Sequence, residues 1–356
     1  MIQLQPETKT LICIGSGGVG KTTMAAAIAV GQAWAGKKVL VLTIDPSRRL
    51  AQTMGIQPDG ELHRVHLPES AAPGELWSCV IDHKKTFEWF IRTAAQQADV
   101  DKILNNTLYQ QLSGRLSGSQ EFTSLISLQR HVSSGEFDLV ILDTPPSQHT
   151  WNFLRAPEKI AALFNEGVAS WFRQDVSEQG LMKRLLNMGT TQVLKALETL
   201  TGSVFMKELS AFFKAIQQWQ KPLEDYVNNC HRLLISPQTE FILITALDSS
   251  RINEAHKLSR EIQKQGYRLT QMIINRIPIW TTEQRSYTSV RLNELKKYYE
   301  SLEAELYNRL HHFKNSLRVY KCPELRQNSD DVEILQTTYN EISSLVAPGP
   351  VDRRSL

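Results

Sequence analysis

Seven short runs of apolar, largely β-branched residues punctuate the chain, at Thr10–Ile14, Lys38–Ile44, Leu76–Ile81, Phe137–Leu142, Glu240–Ala246, Leu269–Asn275 and Leu317–Lys321. Strand-like runs separated by helical stretches predict an α/β fold with a mostly parallel central sheet flanked by helices. Helical patterns fall around Thr86–Gln97 and Glu121–Val132, and a longer tract, roughly Pro157–Leu234, interrupts the strand rhythm. The pattern predicts one domain over 1–356, with a core at 8–82, 137–150 and 236–346. Helical insertions at about 83–136 and 151–235 form an inserted subdomain, and a tail at 347–356 is expected to fray. Within the long tract, Phe205, Leu209, Phe212, Ile216 and Trp219 recur at helical spacing and make one apolar face. An apolar set rich in aromatic residues and methionine, Trp151, Phe153, Leu154, Trp171, Phe172 and Met182 among them, lies upstream. Core packing explains such a face, and so does a groove for an apolar helix of another protein.

The first run leads into Gly15-Ser16-Gly17-Gly18-Val19-Gly20-Lys21-Thr22, which satisfies G-x-x-x-x-G-K-[ST]. Glycines there let successive N–H groups turn inward around nucleotide phosphates; Lys21 adds charge at the β- and γ-phosphates, and the Thr22 hydroxyl can complete Mg²⁺ coordination. The Ala-rich stretch after Lys21 should be a helix with its N-terminus facing the phosphates. Strand, loop and helix in that order distinguish this octet from an ordinary Gly-rich turn.

Two further runs end in carboxylates. Phe137-Asp138-Leu139-Val140-Ile141-Leu142-Asp143 delivers Asp143 to a strand's C-terminal edge, where open α/β sheets bind ligands, and Asp143 is expected to hold Mg²⁺ through water. Val39-Leu40-Val41-Leu42-Thr43-Ile44-Asp45-Pro46 repeats the arrangement, so Asp45 can orient or deprotonate an attacking water. Taken singly, each aspartate could also be a helix cap or turn former.

Composition changes this picture little. A chain of 356 residues, 41 % hydrophobic, has material for one large or two medium cores, and a net charge of +3 without a Lys/Arg-dense block gives no reason to expect nucleic acid. The start lacks a signal-peptide pattern and nowhere do eighteen apolar residues run together, so a cytoplasmic protein without a transmembrane segment is expected. Cys13, Cys79, Cys230 and Cys322 are scattered with no C-x-x-C pair, as buried reduced thiols would be.

Three segments together, Gly15–Thr23, Leu42–Leu50 and Asp143–Thr150, resemble the ArsA-type ATPases, a family of deviant Walker A phosphate-loop NTPases that includes arsenite-pump ATPases and the ATPases targeting tail-anchored membrane proteins. Trp77–Phe87, Gly114–Glu121, Phe205–Trp219, Met272–Arg276 and Cys322–Leu325 resemble further segments of that family, so the likeness runs from about Thr10 to Val346. It implies a Mg²⁺-dependent ATPase in which Gly17, Gly18, Val19, Gly20, Lys21, Thr22 and Thr23 grip phosphates and metal. Asp45 would activate water in the first switch, and Asp143 would be the magnesium-linked residue of the second. Asn275 would hydrogen-bond adenine, with Arg276 and Pro323 beside the base. It also implies a homodimer closing on ATP and a hydrophobic or membrane-associated client.

Departures from the family pattern matter. Ser16 stands where most members carry a lysine that reaches the partner's phosphates, and Gln148, next to His149, stands where glycine is common. Arg48 and Arg49 are the nearest basic residues to substitute for the lysine, or a solvated pair at a helix start. Without the C-x-x-C of the targeting members no zinc is expected, and without clustered cysteines an arsenite role is disfavoured. Two other functions compete: a positioning ATPase of the ParA/MinD kind, which would carry a terminal amphipathic helix or basic face, and a nucleotide-binding interaction protein with little turnover.

Overall fold

A computed structural model describes residues 2–44, 49–67, 74–94, 120–144, 152–155, 221, 225–282, 289–313, 317–324 and 332–344. The chain divides into two compact units. Met1–Asp82, Ser127–Leu154 and Arg232–Leu356 make the first; His83–Ile126 and Arg155–His231 make the second.

In chain order the elements are β1 (Thr10–Gly15), α1 (Lys21–Trp34), β2 (Lys38–Thr43), α2 (Arg49–Met54), β3 (His63–Val65), β4 (Glu75–Val80), α3 (His83–Ala94), α4 (Gln120–Ser134) and β5 (Leu139–Asp143). Next come β6 (Thr239–Ala246), α5 (Ser249–Lys264), β7 (Leu269–Ile277), α6 (Ile279–Thr282), α7 (Val290–Arg309), β8 (Arg318–Pro323) and α8 (Val332–Ser344). All seven expected strands form, as do the helices after Lys21 and around Thr86–Gln97 and Glu121–Val132. The eighth strand, β3, is three residues long and largely uncovered, too short and too polar to read as an apolar run.

The strands make one sheet in the order β3-β4-β2-β5-β1-β6-β7-β8, parallel throughout except for the antiparallel β3–β4 edge. This is the α/β architecture of a phosphate-loop NTPase. β1, β2 and β5 are covered on both faces, with nearly every residue buried, which explains why they read as continuous apolar runs. The strand order positions the loops: β1 lies between β5 and β6, with β2 beyond β5, so the segments leaving these strands share one edge of the sheet.

α1 is buried from Met24 to Ala33, and its alanines keep it slim enough to lie close to the sheet. On its outer side a Cβ at Gly31 would run into the ring of Tyr339, so α8 packs on α1 through this glycine. At the opposite end of the strands from the loop, buried Glu240 on β6 accepts hydrogen bonds from the Thr8 and Thr270 hydroxyls, from Gln271 Nε2 at 3.4 Å and from the Gln5 backbone N–H at 2.9 Å. A carboxylate without water is tolerable because these donors replace its hydration.

The second unit has its own small core. Phe90 meets Phe122 edge-on at 5.6 Å and Tyr226 at 5.0 Å, and the Tyr226 hydroxyl donates to the Ile126 carbonyl at 2.9 Å. Most of the tract from Pro157 to Leu234, with the Phe205–Trp219 face and Trp171, Phe172 and Met182, lies outside the described residues, whereas 225–235 is helical. Phe153 and Leu154, from the upstream apolar set, are fully buried in the first unit.

Candidate functional site

The site grows from the end of β1. Its last residue, Gly15, pairs with Ile244 on β6, and any Cβ there would collide with the Ile244 carbonyl oxygen, so a glycine must lead the chain out of the sheet. Gly20 closes the loop in the left-handed region, at φ +87°, where a Cβ would also come 2.5 Å from Asn275 Nδ2. Between them Val19 is buried and Gly18 exposed, so the loop has one side pinned to the core and one side open. α1 starts at Lys21, directing its first N–H groups back toward the loop.

Lys21 is itself buried and donates to the Ser16 carbonyl at 3.0 Å. The Thr22 hydroxyl donates to Asp143 Oδ2 at 2.7 Å, and the Thr43 hydroxyl donates to the same oxygen at 3.0 Å. Strand register explains one half of the meeting, since Asp143 on β5 pairs with Thr43 on β2; Thr22 arrives from the first turn of α1. Asp143 is 1 % exposed, and the two hydroxyls stand in for water around its charge. Thr144 continues the seam, its hydroxyl donating to the Cys13 carbonyl at 2.7 Å.

Asn275, at the end of β7, donates from Nδ2 to the Val19 carbonyl at 2.7 Å and accepts at Oδ1 from the Arg276 backbone N–H at 2.8 Å. Arg276 stands at φ +58°, where the β7–β8 pairing shifts register before Ile277 meets Pro323. This local left-handed residue turns the strand so that Asn275 reaches the phosphate loop. Asn275, Arg276 and Pro323 therefore gather at one end of β7 and β8, with Asn275 wired to the loop itself.

Asp45 and Arg48 lie outside the described residues, as do Gln148 and His149; of Arg49 the backbone begins α2. Thr23 follows Thr22 in the first turn of α1. Two features were not singled out in the sequence. Thr43 is one, although its place two residues before Asp45, at a strand end, marks it in retrospect. The other is Arg251, in the first turn of α5: a Cβ placed on Gly18 would lie 3.9 Å from Arg251 Nη2. No motif covers Arg251, because it arrives from β6, more than 200 residues along the chain.

Ser16 is 2 % exposed, and its hydroxyl has no hydrogen-bond partner among the described residues. The second residue of the octet is thus a short, neutral side chain buried at the start of the loop. All four cysteines are buried. Burial pushes the Cys13 thiol well up, with Asp143 adding to the rise and Lys21 opposing it; burial also raises Cys230, and it lifts Cys322 to about 12. Thiols so placed are poor metal ligands and weak nucleophiles.

A sequence model described as anion-transporting ATPase matches residues 8–321. The chain belongs to the anion-transporting ATPase family. Several relatives agree with that placement. A Paramecium tetraurelia protein named ATPase ASNA1 homolog 2 is 23 % identical over 310 residues, covering 86 % of both chains. An Aquifex aeolicus protein, whose name marks it as an arsenical pump-driving ATPase, is 23 % identical over 340 residues, covering 92 % of this chain and 77 % of its own. ATPase get3 of Schizosaccharomyces japonicus is 27 % identical over 215 residues, covering 59 % of this chain and 62 % of its own. As a member of this family the protein is an ATPase. Among the described residues no helix is long and apolar enough to cross a membrane, and no three His, Cys, Asp or Glu side chains cluster as metal ligands.

Proposed function

We propose that the loop Gly15–Thr22 holds the phosphates of ATP with Mg²⁺, and that nucleotide state in a homodimer governs the handling of a hydrophobic or membrane-associated client in the cytoplasm. The convergence of Thr22, Thr43 and Asp143 on one buried point carries the nucleotide part. A hydroxyl that spends its proton on a carboxylate keeps its lone pairs for a cation, so Thr22 fits a magnesium ligand and Asp143 fits the partner that orients it, directly or through water. When bound, the metal supplies charge neutralisation of the terminal phosphates. The chain supplies the rest. Lys21, now spent on a backbone carbonyl, exchanges that acceptor for the β- and γ-phosphates, and the buried Ser16 hydroxyl gains a phosphate oxygen as partner. Asp45, two residues beyond the end of β2, orients the attacking water, and Arg48 or Arg49 neutralises charge beside it. Asn275, Arg276 and Pro323 form the end that receives the base.

Family membership and the aromatic-rich tract support the client reading. The test is Asp45→Asn, assayed for ATPase turnover and for binding a labelled apolar helix of about twenty residues. Turnover is expected to fall on the order of 100-fold with ATP still bound, and the helix is expected to bind the ATP-loaded variant and not the nucleotide-free protein. Equal turnover in wild type and Asp45→Asn would remove Asp45 from the reaction; helix binding indifferent to nucleotide would remove the client switch.

A further inference from the structure

A positive charge stands over the open side of the phosphate loop, and it comes from an element that no nucleotide motif includes. β6 runs beside β1 as far as Gly15, which pairs with Ile244, and the chain turns after Ala246 into α5. Asp248 caps that helix by accepting from the Arg251 backbone N–H at 3.0 Å, which fixes the first turn with Arg251 facing the loop. Its Nη2 lies 3.9 Å from where a Cβ on Gly18 would stand, and Gly18 is the exposed apex of the loop. The guanidinium is held only loosely. Asp248 Oδ2 and Glu254 Oε2 both stand 3.8 Å from it, beyond hydrogen-bond reach, and the side chain is 33 % exposed. Glu254 Oε2 is moreover buried without a hydrogen-bond partner among the described residues.

From this we infer that Arg251 is a phosphate-binding residue acting within its own chain, delivering over Gly18 a charge for the terminal phosphates of a nucleoside triphosphate. The inference rests on the reading of Gly15–Thr22 as the ATP site. It answers a chemical need: most of the polyphosphate's negative charge must be met by Lys21 and Mg²⁺ alone if Ser16, buried and neutral, adds none. A guanidinium suspended between two carboxylates at 3.8 Å can leave them for a stronger anion, because neither contact is a formed hydrogen bond. Asp248 and Glu254 then act as a resting place that keeps Arg251 near the loop while no nucleotide is bound.

The experiment titrates MgATP and MgADP into the full-length protein and into Arg251→Ala, Arg251→Lys and Lys21→Ala, at low and at high salt. Arg251→Ala is expected to weaken ATP binding about tenfold, and ADP binding less, with Arg251→Lys restoring part of the loss and the difference shrinking in salt. A structural role through Asp248 and Glu254 would instead lower thermal stability without separating ATP from ADP, and that result would overturn the assignment. So would ATP affinity in Arg251→Ala equal to wild type while Lys21→Ala loses binding, which leaves the loop as the ATP site but without Arg251. Unchanged binding in Lys21→Ala would remove the loop reading itself, and the Arg251 assignment with it.

Discussion

The Thr22 hydroxyl donates to Asp143 Oδ2 across 2.7 Å, joining the first turn of α1 to the last residue of β5. Thr144 follows Asp143 directly and is itself tied to β1 through the Cys13 carbonyl. Asp143→Asn would keep the size of the side chain and lose its charge. ATPase turnover at saturating ATP is expected to fall about 100-fold, and the Mg²⁺ concentration for half-maximal rate to rise. Turnover measured across a Mg²⁺ titration checks it. A variant with normal magnesium dependence would take Asp143 out of the metal site.

Asn275 is the tether between β7 and the phosphate loop. In Asn275→Ala the Val19 carbonyl and the Arg276 N–H lose their partners, at a cost of about 1–3 kcal/mol in urea unfolding. Nucleotide affinity is expected to fall at the same time, since the loop loses a fixed point. Gly20→Ala should be the more severe change, combining a strained φ of +87° with a contact into Asn275, and ATP binding by calorimetry should be lost.

His131, buried on α4 with its ring 6.3 Å from that of Phe137, is held down to about 4 by burial, with Arg130 adding to the effect. The folded protein therefore favours the neutral ring, while the unfolded chain takes up a proton near the ordinary value of 6.5. The stability this ring contributes is complete above that value and declines as pH falls toward about 4, by roughly 2–4 kcal/mol. Urea midpoints between pH 7 and 4 should show the decline in the wild type, and His131→Phe should flatten this part of it.

Glu240 anchors the first residues of the chain beneath the sheet through Thr8 and Gln5. Glu240→Ala would strand several buried donors and is expected to cost about 2–5 kcal/mol, with Glu240→Gln intermediate. Because this cluster sits at the opposite strand ends from the loop, the ATP affinity of either variant that remains folded should match wild type. Chemical denaturation beside ATP titration distinguishes this from a role in the site.

Much of the fold was legible because buried parallel strands must be apolar on both faces, and β1, β2, β5, β6 and β7 announce themselves that way, while β4 and β8 show shorter apolar runs. β3 does not, since it is three residues long and only Val65 of them is buried. The octet at 15–22 was legible for a different reason: its glycines are demanded by geometry, with Gly15 against the Ile244 carbonyl and Gly20 against Asn275. Arg251 carries no such marker, because it lies more than 200 residues from the octet and approaches it only through the pairing of β6 with β1.

The amino-acid sequence by itself determined that this chain has a parallel α/β sheet and a phosphate loop, and that a core strand ends in Asp143. Those properties depend on local pattern and on residue types at fixed spacing. Strand order was a tertiary decision, because any of several arrangements satisfies the same apolar runs. That order, with β5 and β6 on either side of β1, brings Thr43 and Asp143 to Thr22 from one side and Arg251 to Gly18 from the other.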